Sequence, residues 1–270
     1  MPIRLASPRG KDIPLRAVHP NAGIQAEYRR KLKALVAQMH KSIAYWLESA
    51  YSANPPELAQ DDSPAVTMRT VMRTLSRQWL KNFDDGAEKL AAWFAQKTKD
   101  YSDPALKKIL SDAGFSVDFT MTKTMNDAYQ AVIGEQVGLI KSIAERHLSQ
   151  VETIVMQGVQ NGRDTGYVSK KLQEQFGVTK RRAALIARDQ NNKATATLNR
   201  VRRLEVGITE AIWKHSGGGV HPRPSHVKAG RERLKFDVRK GAYIDGEFIQ
   251  PGELINCGCV SIPVIPGFIE

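Results

Sequence analysis

The sequence predicts a mainly α fold, with long helices through the N-terminal two-thirds followed by a small α+β lobe at the C-terminal end. Two observations carry this reading. Apolar residues recur at three- and four-residue steps over segments far longer than an average helix. After Gly207 the character changes: glycine and proline become frequent, and short apolar pieces alternate with turn residues. The expected organisation is an extended arm over 1–20, a helical domain over 21–178 and an α+β C-terminal domain over 179–270.

Residues 1–20 hold four prolines and scattered basic groups, which suits an arm that wraps a neighbour or stays disordered. Tyr28, Leu32, Leu35, Val36, Met39, Ile43 and Leu47 mark a first helix from about Asn21 to Tyr51, with Trp46 beside the stripe. Asn54-Pro55-Pro56 stops it, and Asp61 to Ser63 offers caps for the next. That second helix is expected from Pro64 to Thr98, with a break signalled at Asp84-Asp85-Gly86. A short piece then runs from Pro104 to Asp112, stopped by Gly114.

The most periodic segment is 120–158, where Tyr129, Ile133, Val137, Ile140, Ala144, Leu148, Val151 and Val155 draw one continuous stripe. A helix of that length spans about 58 Å, and such an element needs bundle or coiled-coil partners. Asn161-Gly162-Arg163-Asp164 reads as a turn. A short helix follows to Phe176, with Gly177 as its cap and Thr179 capping a separate helix from Lys180 to about Val206, closed by Gly207. Beyond it, Ala211-Ile212-Trp213, Ala242-Tyr243-Ile244, Glu247-Phe248-Ile249 and Cys259-Val260-Ser261-Ile262 read as strands, with Asp245-Gly246 as a hairpin turn.

Composition bounds the function classes. Hydrophobic residues make up 41% of the chain and charged residues 25%, which is ordinary for a globular protein. No apolar leader opens the chain and no run is long enough to span a bilayer, so neither secretion nor membrane insertion is expected. Cys257 and Cys259 cannot build a disulfide framework, which points to a reducing cytoplasm during synthesis. The net charge is +12, and residues 180–240 alone hold 16 Lys+Arg against 5 Asp+Glu. Concentrated positive charge favours a polyanion.

On a wheel advancing about 100° per residue, Arg181, Arg182, Arg188, Lys193, Arg200, Arg202 and Arg203 fall on one arc of the 180–206 helix. Ala183, Ile186, Ala187, Ala194, Leu198, Val201 and Leu204 fall on the other. The cationic set is the candidate DNA-binding face, since phosphate binding needs positive charge at helical spacing and no base readout. A solvated face, or one that meets an acidic protein, explains the same pattern. Gln190 falls inside the apolar arc and must find partners in the C-terminal lobe.

His221, His226, Cys257 and Cys259 form a candidate metal set of Cys₂His₂ type, for which a structural zinc is the fitting cofactor. Two buried thiols beside a hydrogen-bonded histidine are the other reading. Cys257 and Cys259, one residue apart, cannot easily bridge each other, because that geometry is strained compared with an ordinary disulfide.

In order along the chain stand Leu185-Ile186-Ala187-Arg188-Asp189-Gln190, Gly207-Ile208, Trp213, Arg223-Pro224-Ser225-His226, Pro251-Gly252-Glu253 and Asn256-Cys257-Gly258-Cys259. This order resembles the phage Mu F-like head-morphogenesis family over roughly residues 120–265. Gly258 stands where that family usually has arginine, and Gly217-Gly218-Gly219 where it has a charged residue. The resemblance implies a minor capsid protein of a tailed phage, acting in head morphogenesis at the portal vertex. It implies as partners the portal protein and packaged double-stranded DNA, with scaffold or major capsid protein as further candidates. It places the protein in the virion and gives it no enzymatic activity. Two rivals remain at this level. One is a nuclease or toxin-like enzyme using Arg188, Asp189, Arg223, Ser225, His226 and Glu253. The other is a sequence-reading DNA regulator, for which only Asn191 and Asn192 offer base-reading side chains.

Overall fold

The computed structural model describes residues 10–53, 64–161, 164–218 and 221–267. The first nine residues of the arm, the Asn54-Pro55-Pro56 stop, the Asp61 to Ser63 caps, Gly162-Arg163 of the turn and Gly219 lie outside the described residues. Helices α1 (Ala22–Ala53), α2 (Pro64–Asp112), α3 (Lys123–Gln160) and α4 (Thr165–Glu205) dominate, and a short α5 (Pro224–Arg231) follows. Six short strands accompany them: β1 (Ile13–Pro14), β2 (Glu210–Lys214), β3 (Lys235–Asp237), β4 (Ala242–Ile244), β5 (Glu247–Ile249) and β6 (Val260–Ile265). No described helix is long and apolar enough to cross a membrane.

Two of the helices run on where the sequence signals a stop. Helix α2 continues through Asp84-Asp85-Gly86 and through Pro104, and ends only where Gly114 turns at φ +90°. Gly86 sits in open space, so nothing local enforces a break, and Asp84 instead pairs with Lys141 at 3.0 Å. Helix α4 runs unbroken through Gly177 and Thr179, so residues 178 and 179 fall inside it. Thr179 is not a cap: its hydroxyl donates back to the Gln175 carbonyl at 3.0 Å, within the helix. Asp164 caps α4 instead, accepting the Tyr167 N–H at 2.8 Å. Gly207, at φ +80°, closes the helix as its sequence indicates.

The chain divides into two discontinuous units, one of residues 1–25, 93–133 and 188–270, the other of 26–92 and 134–187. Helices α2, α3 and α4 each contribute one part to each unit.

The all-helical unit is built on the predicted stripes. Tyr28, Leu32, Val36, Met39, Ile43 and Leu47 of α1 are all buried, as are Ile140, Ala144, Leu148, Val151 and Val155 of α3. Trp46, beside the α1 stripe, is exposed. Polar pairs cross the helices inside this apolar core. The Tyr28 hydroxyl donates to Gln136 Oε1 at 2.9 Å, and His147 Nδ1 lies 2.9 Å from Thr179 Oγ1. His40 stacks on Phe176 with ring centroids 4.2 Å apart. Close approach also decides a glycine here: a Cβ on Gly158 would meet Val168 Cγ2 at 2.2 Å.

In the other unit the N-terminal half of the α3 stripe turns away from the core. Met125 and Val132 are buried, while Tyr129 and Ile133 are only partly so, and the Tyr129 hydroxyl donates to Gln96. This unit also holds a four-stranded antiparallel sheet in the order β1-β6-β2-β3 and a separate β4-β5 hairpin. The hairpin turns on Asp245 (φ 54°) and Gly246 (φ 89°), the two positive values a type I′ turn requires. The described part of the arm packs on its own chain. Its Ile13 and Pro14 pair with Ile265 and Val264, so the arm supplies an edge strand, where proline is tolerated. One apolar cluster gathers Val18, Leu106, Leu110, Ile208 and Ile265, and a second surrounds Trp213 between β2, α5 and the hairpin.

Candidate functional site

Motifs that lie far apart along the chain meet in the sheet-containing unit. Helix α4 presents Arg188, Asp189 and Asn192 one turn apart on one flank. All three hold the loop that precedes β6. Asp189, buried, accepts the Asn256 backbone N–H at 2.9 Å. Arg188 Nη2 donates to Asn256 Oδ1. Asn192 Nδ2 donates to the Cys257 carbonyl at 3.1 Å. Asn256 itself is left-handed at φ 62°, a conformation that asparagine tolerates better than most residues. Gly252 (φ 86°) lies against Ala196 of α4, where a Cβ would be in contact at 3.4 Å. The loop is therefore clamped on α4 by side chains that the sequence alone presents as a surface motif.

The clamp delivers Cys257 and Cys259 to His226. That histidine stands on α5, which the sequence reads only as a turn-rich stretch; Pro224 at the first helical turn is its start signal. Ser225 ties the start of α5 to the hairpin, donating to Asp245 Oδ2 at 2.6 Å. Gly230 lets α5 settle on β2: a Cβ there would meet His215 Cβ at 2.5 Å and its backbone nitrogen at 2.8 Å. His226 Nδ1 lies 3.5 Å from Cys257 Sγ and 3.8 Å from Cys259 Sγ, and its ring stands edge-on to Trp213 with centroids 5.0 Å apart. All three of His226, Cys257 and Cys259 are buried, and their donor atoms lie within 4.8 Å of one another. The two thiols act as one acid: hydrogen bonding between them draws the Cys257 thiol down and holds the Cys259 thiol up. His221 is exposed and outside this group, so the four-residue metal set reduces to three. The chain between His221 and His226 enters α5, which turns only the later histidine inward.

The cationic face of α4 is corrected in the same way. Arg202 and Arg203 are buried at 1% and 3% exposure and cannot meet an outside phosphate. Arg202 pairs with Asp103 and Glu205 and lies over the Phe119 ring. Arg203 donates to Ser261 of β6. Both are covered because the C-terminal part of α4 is enclosed by its own unit, which a helical wheel does not register. Of the other candidates, Arg181 and Arg188 are exposed, while Arg182, Lys193 and Arg200 are partly buried. Arg182 donates to Ser142, and Lys193 lies 3.6 Å from Asp189. The wider exposed positive charge is elsewhere, on Lys228, Arg231 and Arg233 in and after α5 and on Lys240 beyond β3. Counting charge over 180–240 flags these residues, and a helical wheel for α4 cannot. Gln190 is buried, as its place on the apolar arc requires.

Among the described residues, those of the enzymatic reading engage different partners. Asp189 and Arg188 hold Asn256, Ser225 holds Asp245, and His226 faces the thiols. Glu253 accepts the Gln250 N–H at 2.7 Å, and Arg223 donates to the Ile255 carbonyl at 3.1 Å. Two cavities of about 530 and 550 Å³ are lined by other residues, among them His40 and Gln173 in one and Arg16 and Tyr101 in the other.

Residues 149–262 match the model of the family described as phage Mu protein F like protein. This part of the chain is similar to phage Mu protein F like proteins. The matched span runs from the C-terminal half of α3 to β6, and it includes both the α4 flank and the Asn256 loop it clamps. The chain is also 26% identical, over 244 residues, to an uncharacterized protein of Haemophilus influenzae. That alignment covers 88% of this chain and 52% of the relative, so the chain spans about half the length of the curated relative it matches. No solved structure matches.

Proposed function

We propose that this chain is a minor head protein of a tailed phage, that it works at the portal vertex during head morphogenesis, and that it touches packaged double-stranded DNA through the exposed cations of its C-terminal half. The observation that carries the reading is the Mu F-like match over residues 149–262, within which the α4 flank and the C-terminal loop lock together. The net charge of +12 supports a polyanionic partner. The cations of this reading are Arg188 with partly buried Lys193 and Arg200, together with Lys228, Arg231, Arg233 and Lys240, all in the sheet-containing unit; Arg181 and partly buried Arg182 belong to the helical unit. The portal protein is the principal protein partner, scaffold and major capsid protein are further ones, and the virion is the final location. The role is architectural and needs no catalytic residue.

Two measurements test this. Co-expression with the portal protein of the same phage should give a complex that survives size exclusion. Binding to random-sequence duplex DNA should weaken linearly on a log–log plot against salt. Neutralising Arg188, Lys228, Arg231 and Arg233 together should shallow that slope by up to about 4. A slope unchanged by the four substitutions refutes the DNA contact, and failure to capture portal protein refutes the vertex assignment.

A further inference from the structure

We propose that His226, Cys257 and Cys259 bind a soft divalent cation of the Zn²⁺ class, with three protein ligands and a water at the fourth position. A tetrahedral zinc with Zn–S of about 2.3 Å and Zn–N of about 2.0–2.1 Å sets its sulfur and nitrogen ligands about 3.6 Å apart. The two sulfur-to-Nδ1 distances, 3.5 and 3.8 Å, bracket that value. One nitrogen and two sulfurs form a donor set that selects zinc over magnesium or calcium, which take oxygen.

The surroundings hold the donors in place before any ion arrives. The loop carrying Cys257 is fixed by Asp189, Arg188 and Asn192 from α4. Cys259 leads directly into β6, which pairs with β2 from Val260 to Val264. His226 is held by the packing of α5 on β2 and by the Ser225 to Asp245 bond. Gly258 keeps the link between the two cysteines narrow: a Cβ there would press on Ser216 at 3.2 Å. A metal at this point would join α5 to the α4-clamped loop, adding to the Arg223 to Ile255 carbonyl bond and the packing around Trp213.

The test uses the full-length protein, freed of metal by a chelator and titrated with Co²⁺ and then Zn²⁺. One equivalent of Co²⁺ should give thiolate-to-cobalt charge-transfer absorption in the near ultraviolet, and Zn²⁺ should displace it. The Cys257→Ser, Cys259→Ser double variant should lose the band. His226→Ala should weaken Zn²⁺ at least about tenfold, and His226→Cys should restore tight binding with a third thiolate contribution. His221→Ala should bind as the wild type does. Far-ultraviolet circular dichroism of each variant confirms that the long helices remain. Absence of the charge-transfer band in the folded wild type overturns the proposal, as does a band that persists in the folded double-cysteine variant.

Discussion

Arg202 and Asp103 meet as a fork on a fork: Nε donates to Oδ1 at 3.0 Å and Nη2 to Oδ2 at 2.8 Å. The remaining terminal nitrogen donates to the Thr120 carbonyl at 2.6 Å and to Glu205 Oε2 at 2.9 Å. A guanidinium with 1% exposure is thus fully engaged. Asp103→Ala leaves that charge buried and half-satisfied, so it should lower unfolding stability by about 3–5 kcal/mol. Urea denaturation followed by circular dichroism measures this, and a loss below about 1 kcal/mol would show that the fork is not a structural element.

The neighbouring Arg203 behaves in the opposite way. It is buried, its guanidinium is pulled down to about 10 by that burial, and among the described residues it meets Ser261 and no carboxylate. A cation held without a counter-charge gives up hydration for little return. Arg203→Met, which keeps the length and drops the charge, should change stability by no more than about 1 kcal/mol, with stabilisation the expected sign. The same urea titration reads it; a loss comparable to that of Asp103→Ala would disprove the contrast.

His147 couples the helical unit to pH. Burial, helped by the nearby His40, pulls its imidazole down to about 4. The unfolded chain titrates near 6.5, so between these values the unfolded state binds more protons than the folded one. The stability from a neutral buried His147 is therefore complete above about 6.5 and is lost as the pH falls toward 4. His40 is shifted in the same direction by burial and adds to the effect. Melting temperatures of wild type and His147→Gln, compared from pH 8 to 4.5, should converge as the pH falls. A constant difference would contradict this titration.

Asp189 holds the loop of the candidate site by a single charge-assisted bond to the Asn256 N–H. Asp189→Ala should free residues 252–258 while leaving α4 helical, at a stability loss of about 1–3 kcal/mol. Hydrogen exchange at the Asn256 and Cys257 amides should accelerate by at least about tenfold relative to β6. Unchanged exchange at both amides would mean that Arg188 and Asn192 suffice.

Much of this architecture was legible in the residues. The α1 stripe, the α3 stripe from Ile140 onward, the Gly114 and Gly207 stops and the Asp245-Gly246 turn all act locally, through helical periodicity or a required positive φ. The signals that misled were also local. Gly177 and Thr179 carry a modest preference for ending a helix and Pro104 a larger one of about 3 kcal/mol, and burial of a continuous apolar face outweighs them.

Periodicity, composition and charge counts establish that the chain is built from long amphipathic helices, that its last third is different in kind, and that its excess positive charge lies from Lys180 onward. Packing settles which of those charges face water, that Ile13-Pro14 closes a sheet edge, and that His226 rather than His221 joins the cysteines. The reason is that periodicity fixes which side of one element is apolar, whereas exposure of a side chain near a helix end, or the meeting of residues separated by 31 positions or more, depends on what else packs there.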